Sequence, residues 1–388
     1  MAGSAAAAGI DCLMDVADVV EQPCFRPGRL LRMVVAPAAP LAQPRPLLVE
    51  APAFVDAWAV DWHRTGHARR SYDVSCIFAC DAEVMGRGAV VLEGSLVTSP
   101  ELMPDYVRRL LPDPDWFDIA RQRTLAPRII ERPCVVFAGF GIDVYGHFII
   151  ETLPRLMTAL RALEGADERP AFLLDAAAPA WLREALHSVF AIPAADIVPF
   201  DRFTDRIVLR RAIIPTLASF DGAYHPYAGS VFEQVADMAG ARAARLDVRR
   251  VYLTRVFHSM RPGAARRCLN GPALAAIAAS EFGFSIVAAE TLPWRAQVAL
   301  CAGADMIAGD YGSALHNAAF AGAGTRVAAI GLRALDQSYL GALRGHRNAY
   351  LRVAGEGDYA VDPGLFRAYL DAVLTRRTQP GPASLATA

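Results

Sequence analysis

The chain has 388 residues, of which 54% are apolar and 20% are charged. This length exceeds what one hydrophobic core usually serves, so we expect two domains, and the apolar content argues against long disordered regions. The 39 basic residues, all of them arginine, nearly balance the 40 acidic residues, so there is no excess positive charge to favour nucleic acid as a partner.

The cysteines and the apolar segments bear on the compartment. Seven cysteines are widely spaced without a Cys-x-x-Cys pair, which argues against a zinc site and favours free thiols in a reducing cytoplasm. The first residues lack a basic region before their apolar run, so we expect no signal peptide. No stretch reaches the roughly 18 uncharged apolar residues needed to span a membrane. We therefore expect a cytoplasmic protein without a transmembrane segment, for which peripheral membrane contact stays open.

The first part of the chain predicts β structure followed by an α/β unit. Residues 1–50 are rich in Ala and Pro, and residues 71–98 contain strand-like runs separated by glycine, which predicts a short meander. From residue 132 onward, strands and helices alternate. The predicted strands are 133–139, 171–176, 197–200 and 206–216, with helices over 148–163 and 179–190.

A second alternating unit follows a helix predicted over 229–246. Its predicted strands are 249–255, 284–290, 305–309 and 325–330, with helices over 271–282, 292–303 and 313–321. Strands that alternate with helices of about 10–15 residues are typical of a parallel, doubly wound sheet. We therefore predict an α/β protein with two Rossmann-like domains facing a cleft, a small β-rich N-terminal region and a closing C-terminal helix over 363–377. The predicted boundaries are 1–125, 126–240, 241–350 and 351–388.

Two features of the second unit indicate an anion site. A strand ends near residue 309, a Gly-Ser turn follows, and a helix opens near Ser313 with exposed N–H groups that favour phosphate. The polar residues His316 and Asn317 lie in an otherwise small, apolar helix, which favours a binding site over a plain connection. Arg255 ends an earlier buried-looking strand, where its guanidinium could hold a diphosphate bidentately.

The first unit carries a different candidate. Residues 139–156 are largely apolar, yet His147 and Glu151 have the i, i+4 spacing that puts two side chains on one face of a helix. A buried ion pair and an acid–base pair facing a cleft both fit this spacing. Pro154 would kink a helix running through it and so could tilt this face toward a cleft.

Two further motifs resemble known sites without meeting their requirements. Asp113 and Asp115 have the spacing of an Asp-x-Asp metal motif, but prolines flank them outside any strand end, so we predict a turn and no metal site. The glycines of residues 139–146 miss the Gly-x-Gly-x-x-Gly spacing of a dinucleotide fingerprint, which argues against a nicotinamide oxidoreductase.

Several blocks of the sequence occur in the order found in one family. They are YGHFIIETLPRL (145–156), VYLTR (251–255), RRCLN (266–270), GFSIVAAETLPWRAQVALCAGADMIAG (283–309) and DYGSALHNAAF (310–320). Together they resemble glycosyltransferase family 61, also called the DUF563 group, over about residues 130–335. The sequence departs from the family pattern at Tyr311, where histidine is frequent, and at Gly271, where glutamate is usual.

The resemblance implies a GT-B architecture with the acceptor on the first Rossmann-like domain and the nucleotide sugar on the second. It also implies an inverting transfer that needs no metal and no cofactor beyond the donor, for which a UDP-sugar is the default. The acceptor is expected to be a glycan or a lipid-linked hydroxyl, in surface polysaccharide synthesis. The alternative is a catalytically inactive glycan- or nucleotide-binding protein of the same fold.

An inverting transferase needs a base for the acceptor hydroxyl and a positive environment for the departing diphosphate. We expect Glu151 to be the base, with His147 orienting it or binding the acceptor, and the reverse assignment stays open. The residues expected to bind the donor are Arg255, Glu290, Gln297, Tyr311, Gly312, Ser313, Ala314, Leu315, His316 and Asn317, with Arg267 and Asn270 as further candidates.

Overall fold

The fold is described from a computed structural model. It covers residues 13–14, 30–42, 71–103, 105–111, 118–137, 139, 141–220, 223–241, 248–260, 266–331, 336–353, 357–375. The predicted turn at Asp113 and Asp115, the last part of the helix predicted over 229–246 and the tail after residue 375 lie outside the described residues, as does most of 1–70.

A ten-stranded mixed sheet forms the N-terminal half. Its strands are β1 (Leu13–Met14), β2 (Leu30–Ala36), β3 (Val74–Met85), β4 (Ala89–Leu92), β5 (Ser95–Val97), β6 (Arg128–Ile130), β7 (Cys134–Val136), β8 (Ala171–Asp175), β9 (Ile197–Phe200) and β10 (Ile207–Pro215). They lie in the order β1-β5-β4-β3-β10-β7-β8-β9, with β2 beside β3 and β6 beside β10. The antiparallel meander is therefore confirmed. It continues into the parallel strands through β10, which pairs antiparallel with β3 and parallel with β7.

Short helices and one small ribbon cover this sheet. The helices are α1 (Asp105–Arg108), α2 (Ile119–Gln122), α3 (Tyr145–His147), α4 (Leu153–Ala162), α5 (Ala180–Ser188) and α6 (Pro226–Met238), and the ribbon pairs β11 (Ser219–Phe220) with β12 (Ala223–Tyr224). A π-helical turn, Phe148–Thr152, joins α3 to α4, so the helix predicted from residue 148 begins at Tyr145. In α4 the apolar residues Leu153, Leu156 and Met157 recur at helical spacing and are buried, which fixes that face against the core.

The C-terminal half contains a five-stranded parallel sheet. Its strands are β13 (Arg250–Leu253), β14 (Ser285–Val287), β15 (Met306–Asp310), β16 (Arg326–Ile330) and β17 (Arg347–Leu351). The order β14-β13-β15-β16-β17 is that of a doubly wound sheet, and the direction of winding reverses between β13 and β15. β17 was not among the strands predicted from the sequence.

Five α-helices accompany this sheet in the part of the chain that the structure describes. They are α7 (Val256–Ser259), α8 (Gly271–Phe282), α9 (Trp294–Ala302), α10 (Asp336–Arg344) and α11 (Pro363–Thr375). Two sequence predictions were wrong in detail. The helix predicted over 313–321 is a 3₁₀ helix, Ser313–Phe320, and the strand predicted over 284–290 ends at Val287 before a 3₁₀ turn, Ala289–Thr291. In both segments the backbone takes the tighter 3₁₀ form, in which an N–H donates to the carbonyl three residues earlier, so the predicted element is replaced there.

Aromatic packing joins the two halves. The Phe148 ring lies 5.5 Å from Trp294, and Trp294 lies 5.9 Å from Phe320, with edge-on geometry in both pairs. Such pairs contribute about 0.5–1.5 kcal/mol each beyond the area that they bury. They hold the helical segment after β7 against the 3₁₀ helix after β15. The α/β class is thus confirmed, whereas the domain boundaries and the GT-B arrangement stay predictions. None of the helices within the described ranges is both long and apolar enough to cross a membrane.

Candidate active site

The predicted pair His147 and Glu151 forms a direct contact. His147 Nδ1 lies 3.0 Å from Glu151 Oε2, with the i, i+4 relationship expected on one helix face. The π-helical turn contains Glu151, and in it the Leu153 N–H donates to the Phe148 carbonyl five residues back. This widened turn directly precedes Pro154, which has no N–H to donate to the carbonyl four residues earlier.

Burial and charge act in opposite directions on His147. Burial lowers the pKa of His147, but the hydrogen bond to Glu151 and its charge, followed by the charges of Asp336 and Asp143, raise that pKa above its ordinary value. The His147 side chain is 33% exposed and that of Glu151 only 14%. The imidazole is therefore the more accessible member of the pair, and its surroundings raise its proton affinity.

Gly146 brings this pair against the donor-side loop. A Cβ placed on Gly146 would lie 2.9 Å from His316 Cδ2 and 3.0 Å from Ser313 Oγ. Real Cβ atoms essentially never approach another atom so closely, so only glycine allows α3 to touch the 3₁₀ helix here. The residue directly before His147 therefore contacts the 313–317 segment, which is predicted to bind the donor.

Tyr145 extends the same contact into a buried polar network. Its hydroxyl lies 2.8 Å from Gln297 Oε1 and 2.7 Å from Asn317 Oδ1, and its single proton can serve one oxygen at a time. Asn317 Nδ2 also donates to Gln297 Oε1 over 3.2 Å, while Gln297 Nε2 donates to the Leu292 carbonyl. Burial raises the pKa of Tyr145, so the phenol stays protonated. Gln297 and Asn317 therefore lie inside the junction of the two halves.

Arg255 lies at the point where the C-terminal sheet reverses its winding. It follows β13, and Gly312 follows the adjacent strand β15, in which Gly309 pairs with Leu253. A Cβ on Gly309 would lie 2.5 Å from the Leu253 carbonyl oxygen, so the close approach of the two strand ends requires glycine. A Cβ on Gly312 would lie 3.5 Å from Arg255 Nε and Cζ, which puts the guanidinium beside the backbone that opens the 3₁₀ helix. This edge of a doubly wound sheet is where ligands bind.

The Arg255 side chain is half-buried, and its charge is only partly balanced. Burial lowers the pKa of Arg255, while the negative charge of Asp310 opposes that change. Among the described residues, the guanidinium forms no hydrogen bond or ion pair, although its planar fork offers five N–H donors. Such a group at a strand's carboxyl end is available to an anion.

Asp310 and Tyr359 form a hydrogen-bonded pair whose charge acts on Arg255. The Tyr359 hydroxyl donates to Asp310 Oδ1 over 2.7 Å. Burial raises the pKa of Asp310, and the hydrogen bond from Tyr359 and the charge of Arg255 partly offset that rise. Neither residue was predicted from the sequence. The strand-end position of Asp310, directly before Tyr311, was a signal that could have found it, whereas nothing local marks Tyr359.

His316 is buried and neutral. Its Nδ1 lies 3.2 Å from Gln337 Oε1, and burial lowers its pKa to about 4. Tyr311 and Leu315 are also buried, and Ala314 is half-buried, so in the predicted 311–317 loop only Gly312, Ser313 and Ala314 keep appreciable exposure.

The glycosyltransferase 61 family model matches residues 145–328, a range that contains the His147–Glu151 pair and the Arg255–Gly312 site. The chain therefore contains a glycosyltransferase family 61 region, residues 145–328. It is accordingly a glycosyltransferase. A search of curated proteins found no match to the chain.

Four of the residues expected to bind the donor have other surroundings in the structure. Glu290 is exposed on the 3₁₀ turn after β14, where its charge reaches Arg255. Gln297 is enclosed in the network described above. Arg267 Nε donates to Asp358 Oδ2 over 2.8 Å, and Asn270 Nδ2 donates to the Val361 carbonyl over 2.7 Å. Arg267 and Asn270 therefore anchor the segment that carries Tyr359.

The two departures from the family pattern have clear structural surroundings. Tyr311 packs edge-on against His316 with ring centres 6.4 Å apart, and it is buried. Gly271 begins α8, where a Cβ would meet the Cys268 side chain at ordinary contact distance.

Asp336 is a further charged group that the sequence analysis missed. It begins α10, outside the family match, and burial followed by the charge of Glu151 raises the pKa of Asp336, whereas the charge of His147 lowers it. No motif surrounds it in the sequence. Among the described residues, no group of three or more His, Cys, Asp or Glu side chains is arranged to hold a metal ion.

Proposed function

We propose that this family 61 glycosyltransferase moves a sugar from a nucleotide-sugar donor to a hydroxyl of a glycan or lipid-linked acceptor, with inversion at the anomeric carbon. A UDP-sugar is the donor to test first. The proposal includes a GT-B arrangement, cytoplasmic action and a role in surface polysaccharide synthesis, all of which rest on the resemblance of the sequence blocks.

One observation carries the proposal. Arg255 and Gly312 meet at the winding reversal of a parallel sheet, and the guanidinium forms no hydrogen bond or ion pair with the other described residues. A diphosphate fits this place because a guanidinium binds phosphate oxygens bidentately and the adjacent backbone amides can add further donors. The departing nucleoside diphosphate would then have its charge balanced by Arg255 and by the N–H groups near Gly312 and Ser313, without a requirement for a metal ion.

The geometry supports His147 as the base, the reverse of the assignment that we favour from the sequence alone. His147 is the more exposed member of the pair, and its Nδ1 donates a hydrogen bond to Glu151, so we assign Nε2 as the nitrogen that takes the acceptor proton. A carboxylate at Nδ1 fixes the tautomer and stabilises the imidazolium that forms. A raised pKa makes the imidazole a stronger base near neutral pH.

The proposed step balances as a single displacement. The acceptor oxygen forms a bond to the anomeric carbon while the bond from that carbon to the diphosphate oxygen breaks. His147 takes the hydroxyl proton, and the electron pair of the broken bond leaves on the diphosphate. Attack from the side opposite the leaving group inverts the configuration. The contact of Gly146 with Ser313 and His316 supports this arrangement, because it keeps base and donor loop adjacent.

The direct test combines binding with transfer. Thermal-shift titrations with UDP-, GDP-, CMP- and dTDP-sugars should identify one nucleotide that stabilises the protein, and the matching donor should then yield a product whose anomeric configuration, read by NMR, is inverted. Stabilisation by a nucleotide sugar without transfer to any glycan or lipid-linked acceptor would favour the inactive binding protein. Retention of configuration would contradict the displacement, and no response to any nucleotide would contradict the donor site.

A further inference from the structure

Four charged side chains form an ion-pair cluster in the N-terminal half. Asp175 ends β8, Arg202 follows the neighbouring parallel strand β9, and the Arg202 Nε pairs with Asp175 Oδ2. The Nη1 of the same guanidinium lies 3.4 Å from Asp143 Oδ2, and Arg87 Nη1, on the turn between β3 and β4, lies 3.5 Å from that oxygen. Asp175 and Arg202 are thus at the carboxyl ends of parallel strands, where open α/β sheets bind ligands.

The turn that carries Asp143 packs directly against the proposed base. The Val144 N–H donates to the Gly141 carbonyl over 2.8 Å, which closes a turn over residues 141–144 with Asp143 as its third member. A Cβ placed on Gly141 would lie 2.8 Å from His147 Cβ and 2.9 Å from His147 Cγ, so only glycine fits there. This contact holds Asp143 and the imidazole in one compact unit.

The side chain of Gln122, at the end of α2, joins the two segments that carry the arginines. It is fully buried, its Oε1 accepts from the Gly86 N–H over 2.7 Å, and its Nε2 donates to the Arg202 carbonyl over 2.7 Å. Gly86 directly precedes Arg87, so one amide fixes the backbone at both guanidinium groups. The arginines that hold Asp143 Oδ2 are therefore positioned before any ligand arrives.

The second oxygen of Asp143 is open to a ligand. The side chain is 34% exposed, and no hydrogen bond from the described residues reaches Oδ1. An ionised carboxylate only accepts hydrogen bonds, so Oδ1 suits a hydroxyl. The two guanidinium groups balance the two carboxylates, which leaves the cluster no surplus positive charge for a phosphate or a uronate. Val144 and Phe203, which directly follow Asp143 and Arg202, are 43% and 44% exposed, and such apolar groups suit the C–H face of a sugar ring.

We propose that Asp143 binds the acceptor as a neutral sugar, accepting at Oδ1 a hydrogen bond from the hydroxyl next to the one that gives its proton to His147. The inference rests on the proposed function and names its acceptor class, a sugar residue with two neighbouring free hydroxyls and no charged substituent. Arg87 and Arg202 act through Asp143 as positioning residues. Asp143 and Arg87 lie outside the residues that match the family model.

The test is binding of simple glycosides, measured by saturation-transfer NMR with and without UDP. The neutral probes are the methyl glycosides of glucose, galactose, mannose and xylose, and the anionic probe is that of glucuronic acid. We expect at least one neutral probe to bind, and Asp143→Asn to raise its Kd about 10-fold or more because a hydrogen bond to a charged acceptor is lost. The glucuronide should bind less well than the glucoside, since its carboxylate would lie near that of Asp143.

Asp81→Asn is the matched control. Asp81 is 32% exposed and also pairs with an arginine, Arg210, so this variant loses a similar ion pair and should bind the probes like the wild type. The inference is overturned by no binding of any neutral probe, by equal Kd values in Asp143→Asn and Asp81→Asn, or by stronger binding of the glucuronide. Should Asp143→Asn fail to fold, deoxy analogues of the bound glycoside decide on the wild type. Removal of one of two neighbouring hydroxyls should weaken binding about 10-fold, and equal binding of all analogues would contradict the contact.

Turnover separates this inference from the proposed function. In Asp143→Asn the KM for the acceptor should rise while the Kd of the nucleotide stays unchanged, a split that a merely structural ion pair would not produce. If the wild type binds a glycoside through Asp143 but transfers no sugar, the proposed function fails and the sugar site stands. If the wild type transfers sugar and the acceptor KM of Asp143→Asn equals that of the wild type, this inference fails alone.

Discussion

The Tyr145 hydroxyl lies 2.7 Å from Asn317 Oδ1, which ties the residue two positions before the proposed base to the end of the proposed donor loop. Both groups are buried in the junction, and Gln297 completes the network. The distance between base and donor loop is therefore set by packed, hydrogen-bonded contacts. Such preorganised positioning contributes to catalysis because the reacting groups need not be brought together at each turnover.

Replacement of Tyr145 by Phe should destabilise the protein. Asn317 Oδ1 would lose its partner in a buried site, which costs about 1–3 kcal/mol in the free energy of unfolding. Chemical denaturation should detect this loss, and the same change at the exposed Tyr72 serves as the control. Equal stability of both variants would show that the network contributes little.

Gly146→Ala should disturb the site through sterics alone. The added methyl group would lie within 2.9 Å of His316, and such overpacking costs about 1–3 kcal/mol or forces the two segments apart. We expect a lower melting temperature and a lower transfer rate. At Gly322 a Cβ meets no atom within 4 Å, so Gly322→Ala should behave like the wild type. A Gly146→Ala enzyme with wild-type turnover would argue against the close approach.

The acid–base pair should affect turnover far more than folding. His147→Ala and Glu151→Gln should each leave a folded protein, and loss of the base should lower kcat by about 10²–10⁴-fold. The larger loss should fall on His147 if the imidazole takes the proton. His187→Ala, at an exposed position on α5, is the control for loss of a histidine. Near-wild-type turnover in both site variants would exclude the pair as catalytic residues.

Arg255→Ala should weaken binding of the nucleoside diphosphate. Loss of a hydrogen bond from a charged donor costs about 1.5–3 kcal/mol, which corresponds to a Kd raised by roughly 10–150-fold. Isothermal titration with the diphosphate that stabilises the wild type should measure it. Arg249→Ala, which removes an exposed arginine near the start of β13, should bind normally. Unchanged affinity in Arg255→Ala would move the diphosphate elsewhere.

Acidification should destabilise the protein in part through His316. The folded-state pKa is lowered to about 4 from the ordinary value of 6.5, so the unfolded chain takes up the proton first as the pH falls. The stabilising contribution is therefore present above about pH 6.5 and is lost as the pH falls toward 4, with about 2 kcal/mol lost by pH 5. The unfolding free energy of His316→Gln should fall less between pH 7 and pH 5 than that of the wild type, whereas His187→Gln should follow the wild type. Parallel curves for His316→Gln and wild type would show that His316 is not buried neutral.

Local signals predicted many elements well. The helices at 179–190 and 271–282 and the strands at 171–176 and 325–330 match α5, α8, β8 and β16 closely, because apolar periodicity and flanking turn residues are properties of short segments. The 3₁₀ form of Ser313–Phe320 was not predictable in the same way. Its small, apolar residues suit either kind of helix, and packing against α9 and α3 decides between them.

By itself, the sequence determined the α/β class, the i, i+4 pairing of His147 with Glu151, and the place of Arg255 and Gly312 at the ends of strands, because each depends on neighbours along the chain. Only the tertiary structure decided that Gln297 and Asn317 are enclosed with Tyr145 and that Tyr359 supports Asp310. It also decided that Gln337, near the start of α10, contacts His316. These relationships join residues far apart in the chain, and they depend on strand order and on which surfaces pack together, which no local pattern encodes.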